Sequence, residues 1–402
     1  MSYDFLYGSA IGGAFLVFVY VLIIFLLSSQ KLLTKNLFFV ISFALLARTI
    51  AVNFYASSPS DSSVTFFPNA TLVFNGVGEP FVYFFTGILK AIGFTTLLSQ
   101  FYFCNALGFL GTYFYFKLYV QLAKNIKFTS REYHYSFAYC VIWLWPSFVF
   151  WTTGLVKDSG MFLALSMIFY GAICFRKHKV KALSLLVFGL SFVWLARPQI
   201  YAVLLGAILM LNFSSRKISM KMRIFIVGLL LIFIIWFLPV ILRYGRVAEI
   251  SDITSRGIQL QTFQSQGTAI SVPTHDPVLM LFFLPYTMAA NLFLPLFFGI
   301  TNIMGVVASI ENLFFLYLCY IYFKYRPIFI RLVSLSSSQL VKYIELYLLF
   351  GCGFLGMANT NLGLAMRQKT MYTGPFLVLL MLVMLLKRRD KIRQVNSVKV
   401  SK

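Results

Sequence analysis

Apolar runs long enough to cross a bilayer recur along the whole of this 402-residue chain, and the joints between them are short and often basic. A hydrocarbon layer about 30 Å thick is crossed by a helix of ~20 residues. Inside that layer each segment must satisfy its own backbone N–H and C=O groups, so helices are the fold such runs can take. Windows of suitable length fall at 10–28, 36–53, 100–122, 134–152, 159–175, 182–195, 199–213, 223–242, 304–323, 343–358 and 371–386. The expectation is an all-α polytopic membrane protein with about 11 transmembrane helices.

The composition agrees, with 60% hydrophobic and only 11% charged residues. The net charge of +23 could suggest a nucleic-acid partner, but Lys and Arg sit in short clusters between apolar runs rather than along one polar face. They read as topology signals, and no nucleic acid is expected. The clusters are Lys31 and Lys35; Lys124, Lys127 and Arg131; "RKHKVK" at 176–181; "RKISMKMR" at 216–223; Lys324, Arg326 and Arg331; and "KRRDKIR" at 387–393. The positive-inside rule sends all of them to the cytoplasm, which places the N-terminus outside and the C-terminus inside.

The opening residues "MSYDFLYGSA" lack a basic n-region, so 10–28 reads as a retained span. One membrane domain covers 1–386, and 387–402 reads as a basic cytoplasmic tail, solvated and partly unstructured. Two outer loops are substantial, about 54–99 and 243–303. Each holds an apolar stretch, 80–94 and 279–300, that cannot be an extra crossing without moving a basic cluster to the wrong side. These stretches read as re-entrant or interfacial helices, the second broken by Pro285 and Pro295. Cys104, Cys140, Cys174, Cys319 and Cys352 lie in apolar runs with no metal-ligand spacing, and read as buried thiols.

Once the inner clusters are set aside, the remaining charges converge on the outer side. Arg48 ends the second span, Asp61 lies in the first outer loop, and Lys157 and Asp158 form a short turn in "WPSFVFWTTGLVKDSG". Arg197 occupies the next turn, "ARPQIY". Arg243 and Arg246 begin the large loop, and Arg367 and Lys369 precede the last span. Charges at a membrane interface are costly unless paired or used. Several cations around a few carboxylates suit a phosphate or pyrophosphate held beside a proton acceptor. A lipid-linked sugar phosphate meets that description without any nucleotide-binding motif, and neither a P-loop nor a strand-bound GxGxxG is present.

The run "WPSFVFWTTGLVKDSGMFLALSMIFYG" resembles the segment of GT-C superfamily glycosyltransferases, and of related bacterial O-antigen or capsule assembly proteins, in which an aromatic run leads through a Lys-Asp pair into the next helix. "SPSDSSVTFFPNA", "GEPFVYFF", "ARPQIY" and a late "RQK" strengthen the resemblance. It implies a GT-C-like glycosyltransferase or repeat-unit polymerase in the bacterial cytoplasmic membrane, with an inverting mechanism. Sugars would pass from a polyprenyl-(di)phosphate donor to a lipid-linked acceptor, in O-antigen, capsule or exopolysaccharide assembly. It points to Asp61 as catalytic base and Asp158 as second acid, with Arg48, Lys157, Arg197, Arg243, Arg246, Arg367 and Lys369 contacting phosphate or headgroup. No metal site or cofactor is required, although a divalent cation is compatible. Membrane lipids and other polysaccharide-assembly proteins are the further partners. The alternative is a flippase or transporter of lipid-linked oligosaccharide.

Overall fold

The computed structural model describes residues 3–57, 62–155, 157–213, 228, 277–297, 303–333, 335–358 and 362–400. Among these the chain is helical, with no strand. Helices α1 (Tyr3–Ser29), α2 (Lys35–Ala56), α3 (Glu79–Ala91) and α4 (Leu97–Asn125) are followed by the short α5 (Ser130–Tyr133), α6 (Ser136–Leu144) and α7 (Pro146–Trp151). Then come α8 (Ser159–Cys174), α9 (Lys179–Ala196), α10 (Pro198–Phe213), α11 (Pro277–Phe293), α12 (Ile303–Leu332), α13 (Leu335–Ala358) and α14 (Leu362–Val400). Among the described residues five helical segments are long and apolar enough to cross a membrane: Leu6–Ser29, Lys35–Ala56, Lys179–Ala196, Gly305–Leu332 and Ala365–Asp390. This is a helical membrane protein. The expected span at 223–242 lies, apart from residue 228, outside the described residues.

Two compact units are present, one formed by Met1–Ala196, Tyr317–Leu340 and Gly374–Lys402, the other by Arg197–Leu316 and Val341–Thr373. In the first unit α4 is the core: it packs on α1, α2 and α8, and α8 packs in turn on α9. A capping box between Thr96 and Ser99 starts α4, and the Thr34 side chain accepts the Leu37 N–H to start α2.

Helix α2 separates its faces by the 3.6-residue period. Leu37, Ile41, Ala44, Arg48, Val52 and Tyr55 are buried, while Phe39, Phe43, Leu46, Ile50 and Phe54 form the exposed apolar stripe expected to face lipid.

Several expectations are corrected. The window 134–152 is divided into α6 and α7, because Pro146 has no N–H to continue α6 and holds Trp145 extended, at φ −59° and ψ 117°. Conversely, Pro285 lies inside α11 and does not end it. The basic tail is no loose end, since α14 runs on to Val400. Cys140 is exposed, whereas the other four thiols are buried.

The first unit has two chemically distinct ends. At one, Arg388 lies over the Tyr135 ring at 4.4 Å, Arg389 over Phe128 at 4.8 Å and Lys124 over Tyr133 at 5.8 Å, so separate basic clusters meet. At the other, the Ser62 hydroxyl accepts the Leu155 N–H at 3.1 Å and the Gly78 N–H donates to the Leu195 carbonyl at 2.6 Å. The first long connection, the Lys157–Asp158 turn and the end of α9 therefore share this second end.

Candidate functional site

The site is best built outward from Arg48. Its guanidinium is wholly buried, eight residues short of the end of α2, so it does not end the span as the sequence suggested. Nη1 donates to the Asn105 side-chain oxygen and to the Thr152 hydroxyl, each at 3.0 Å, and Nη2 donates to the Thr112 hydroxyl at 3.0 Å. The Phe109 ring lies 5.3 Å from the guanidinium carbon. Asn105 closes the network by donating from Nδ2 to the Thr153 hydroxyl at 2.8 Å. Gly108 is required here, because a Cβ at that position would run into the Thr152 side chain. Arg48 thus reaches neutral oxygens inside the bundle rather than an exposed phosphate site.

Thr152 and Thr153 follow α7 directly and begin the turn that carries the charge pair. A Cβ placed on Gly154 would lie 3.2 Å from the Tyr55 hydroxyl and 3.8 Å from Asp158 Oδ2, so these two polar groups flank the turn. Asp158 is 2% exposed. It sits at the N-cap position of α8, yet its side chain makes no capping hydrogen bond. Its backbone, at φ −96° and ψ −43°, is already helical rather than extended as a capping residue requires. Lys157 is turned toward α3. Its ammonium lies 3.8 Å from Glu79 Oε1 and 5.7 Å from the Phe66 ring centre, with 14% of the side chain exposed.

Glu79 owes its place to the "GEP" sequence. Gly78 takes φ +82°, which favours glycine, and Pro80 occupies the first turn of α3, where a missing N–H costs nothing. Near the other end of α3, the Lys90 ammonium donates to the Phe67 carbonyl at 2.8 Å and lies 3.9 Å from the Phe67 ring centre. Desolvation holds its pKa below the usual value of 10.5.

In the second unit the charged candidates are Arg197, Arg367 and Lys369. Arg197, 5% exposed, immediately precedes α10, and the half-buried Arg367 lies within α14 near its start. Lys369 is 3% exposed; its ammonium donates to the Asn312 side-chain oxygen and to the Leu292 carbonyl at 3.3 Å. Asn312 Nδ2 in turn donates to the Pro295 carbonyl at 3.0 Å. Lys369 and Asn312 thereby cap the carbonyl end of α11 where Leu294 and Pro295 leave the helix.

The predicted residues therefore divide. Arg48, Lys157 and Asp158 belong to the first unit, and Arg197, Arg367 and Lys369 to the second. Asp61, Arg243 and Arg246 lie outside the described residues. Sequence reasoning missed Glu79 as the partner of Lys157, and missed the neutral members Asn105, Thr112, Thr152, Ser62 and Tyr55. Asn105 was the available signal, an amide inside the apolar run of α4. Trp143 and Trp145 are buried packing residues, Trp143 edge-on to Phe109 at 5.4 Å. Among the described residues no cluster of His, Cys, Asp and Glu could hold a metal ion. No family model, curated protein or solved structure matches the chain.

Proposed function

We propose that the protein is a membrane glycosyltransferase or repeat-unit polymerase. It moves sugar units from a polyprenyl-(di)phosphate donor to a lipid-linked acceptor at the outer face of the bacterial cytoplasmic membrane. The observation that carries this reading is the crowding of a buried carboxylate, an ion pair and hydroxyl groups around the 152–158 turn, at the end of the first unit opposite its basic clusters. A carboxylate sheltered from water beside a cation suits proton abstraction next to a phosphate leaving group.

In the proposed step the acceptor hydroxyl oxygen bonds to the anomeric carbon from the face opposite the leaving group. The bond between that carbon and the lipid phosphate oxygen breaks, its electron pair leaving on the phosphate, and the hydroxyl proton passes to a carboxylate. Asp61 is the proposed base and Asp158 the second acid. Ser62, the neighbour of Asp61 in sequence, is bonded to Leu155 of the turn, which supports assigning both to one site. Arg48 holds Thr152 and so positions the turn, while Arg197, Arg243, Arg246 and Arg367 remain the proposed phosphate contacts.

A second reading, a flippase or transporter of lipid-linked oligosaccharide, is favoured by Arg48 and Lys369, cations buried within helices as transport pathways often have them. Analysis of surface glycan from a deletion strain complemented with Asp61→Asn, Asp158→Asn or Arg197→Ala separates the readings. Glycan limited to one repeat unit supports a polymerase, and loss of a single sugar supports a transferase. Carrier-linked glycan trapped inside supports the flippase. Full activity in all three variants would sink the site assignment.

A further inference from the structure

The connection between α2 and α3 carries apolar side chains that are largely exposed. Leu72, Val73 and Phe74 are 63%, 60% and 48% exposed, and Val64 and Ile92, on elements packed beside them, are exposed as well. This segment is not a floppy loop. The Thr71 N–H donates to the Tyr83 carbonyl at 3.1 Å, and Gly87 of α3 lies so close to the Thr71 backbone that a Cβ there would collide with it. Phe74 meets Phe84 edge-on at 5.6 Å, and Phe66 of the turn Ser62–Phe66 meets Tyr83 at 6.0 Å. Four apolar side chains and Phe74 are thus held outward on a fixed base.

We infer that this surface, centred on Leu72, Val73 and Phe74, dips into the bilayer leaflet at the Ala56 end of α2 and rests on acyl chains. Irregular backbone needs water for its peptide groups, so residues 70–78 cannot lie in the hydrocarbon. Side chains pointing down from an interfacial backbone meet both demands. Helix α3, with 13 residues, covers about 20 Å and is too short to span, which keeps its base at the same depth. The area argues against a second copy of the chain as the occupant: five such side chains offer on the order of 500 Å², against about 800 Å² from each partner in a stable dimer. Contact with lipid has no such threshold. The inference is independent of the proposed enzymatic reading.

The test uses the full chain with Cys140→Ser, and Leu72→Cys, Val73→Cys or Phe74→Cys labelled with an environment-sensitive fluorophore. The protein is reconstituted in vesicles of phosphatidylethanolamine and phosphatidylglycerol, with the exposed Asn69→Cys as the aqueous reference. The expected result is blue-shifted emission at 72–74, quenched several-fold more by nitroxide-bearing lipid and several-fold less by iodide than at position 69. Iodide quenching equal to that at 69 places the surface in water and overturns the inference. So does self-quenching that rises with protein density, which indicates a second copy, or a blue shift that develops only when polyprenyl phosphate is added, which indicates the carrier's own tail.

Discussion

Each unit buries a cation among neutral oxygens, and the two use that cation differently. Arg48 draws acceptors from separate pieces of the first unit: Asn105 and Thr112 on α4, and Thr152 after α7. Lys369 draws on Asn312 and on the carbonyl end of α11 in the second unit. A guanidinium is a planar fork that fixes the mutual orientation of its partners, whereas an ammonium is a point charge that neutralises a helix end. The first arrangement locates a turn; the second stops a helix. A third cation, Lys157, is held differently again, 3.8 Å from the carboxylate of the partly exposed Glu79.

The largest effect is expected at Arg48. Arg48→Met leaves three oxygens without their donor and costs about 3 kcal/mol, read as a lowered thermal midpoint in detergent by circular dichroism. Arg48→Lys keeps the charge but not the fork, and should recover less than half of that loss. If lysine restores full stability, the contrast between fork and point charge fails. Next in size is Gly108→Ala, whose methyl meets Thr152 and Arg48 Nη1 and costs roughly 1–3 kcal/mol by overpacking. Combined with Arg48→Met its effect should be clearly less than additive, since both disturb the same contact. Additive losses would mean that Gly108 and Arg48 do not act on the turn together.

Lys369→Met is expected to cost less, about 1–2 kcal/mol, because it removes the cap of a single helix end. Hydrogen exchange should localise its effect to α11. Protection lost evenly through the second unit would show that Lys369 organises several elements, as Arg48 does.

Much of this architecture was legible in the sequence because apolar length and basic punctuation are local signals. The bounds of α2, α8, α9 and α10 follow from them within a few residues, whereas α1 starts at Tyr3, well before the expected residue 10. The break at Trp145 was legible in principle from Pro146 but was masked by the unbroken apolar run around it. The role of Arg48 was not local. Its place in the buried row Leu37, Ile41, Ala44, Arg48, Val52 pointed inward, but its partners are 57 to 104 residues away in sequence and uncharged. Lys157 and Asp158 stood out as charges in an apolar run. That Lys157 folds back onto Glu79 depends on a tertiary contact between α3 and the turn, which no spacing encodes.

The smallest effect is expected where the sequence looked most suggestive. The Lys157–Glu79 pair is 3.8 Å apart and Glu79 is 43% exposed, so water screens it and Glu79→Gln should cost no more than about 0.5 kcal/mol. Lys157→Met should cost somewhat more, because the mostly buried Lys157 also lies over Phe66. Raising the salt from about 0.1 M to about 1 M shortens the screening length from ~10 Å to ~3 Å and should erase the Glu79→Gln difference in thermal midpoint, while leaving the Arg48→Met loss unchanged. Equal salt sensitivity at the two sites would mean that the Arg48 network is open to solvent, and the distinction between a buried anchor and a screened surface pair would fall.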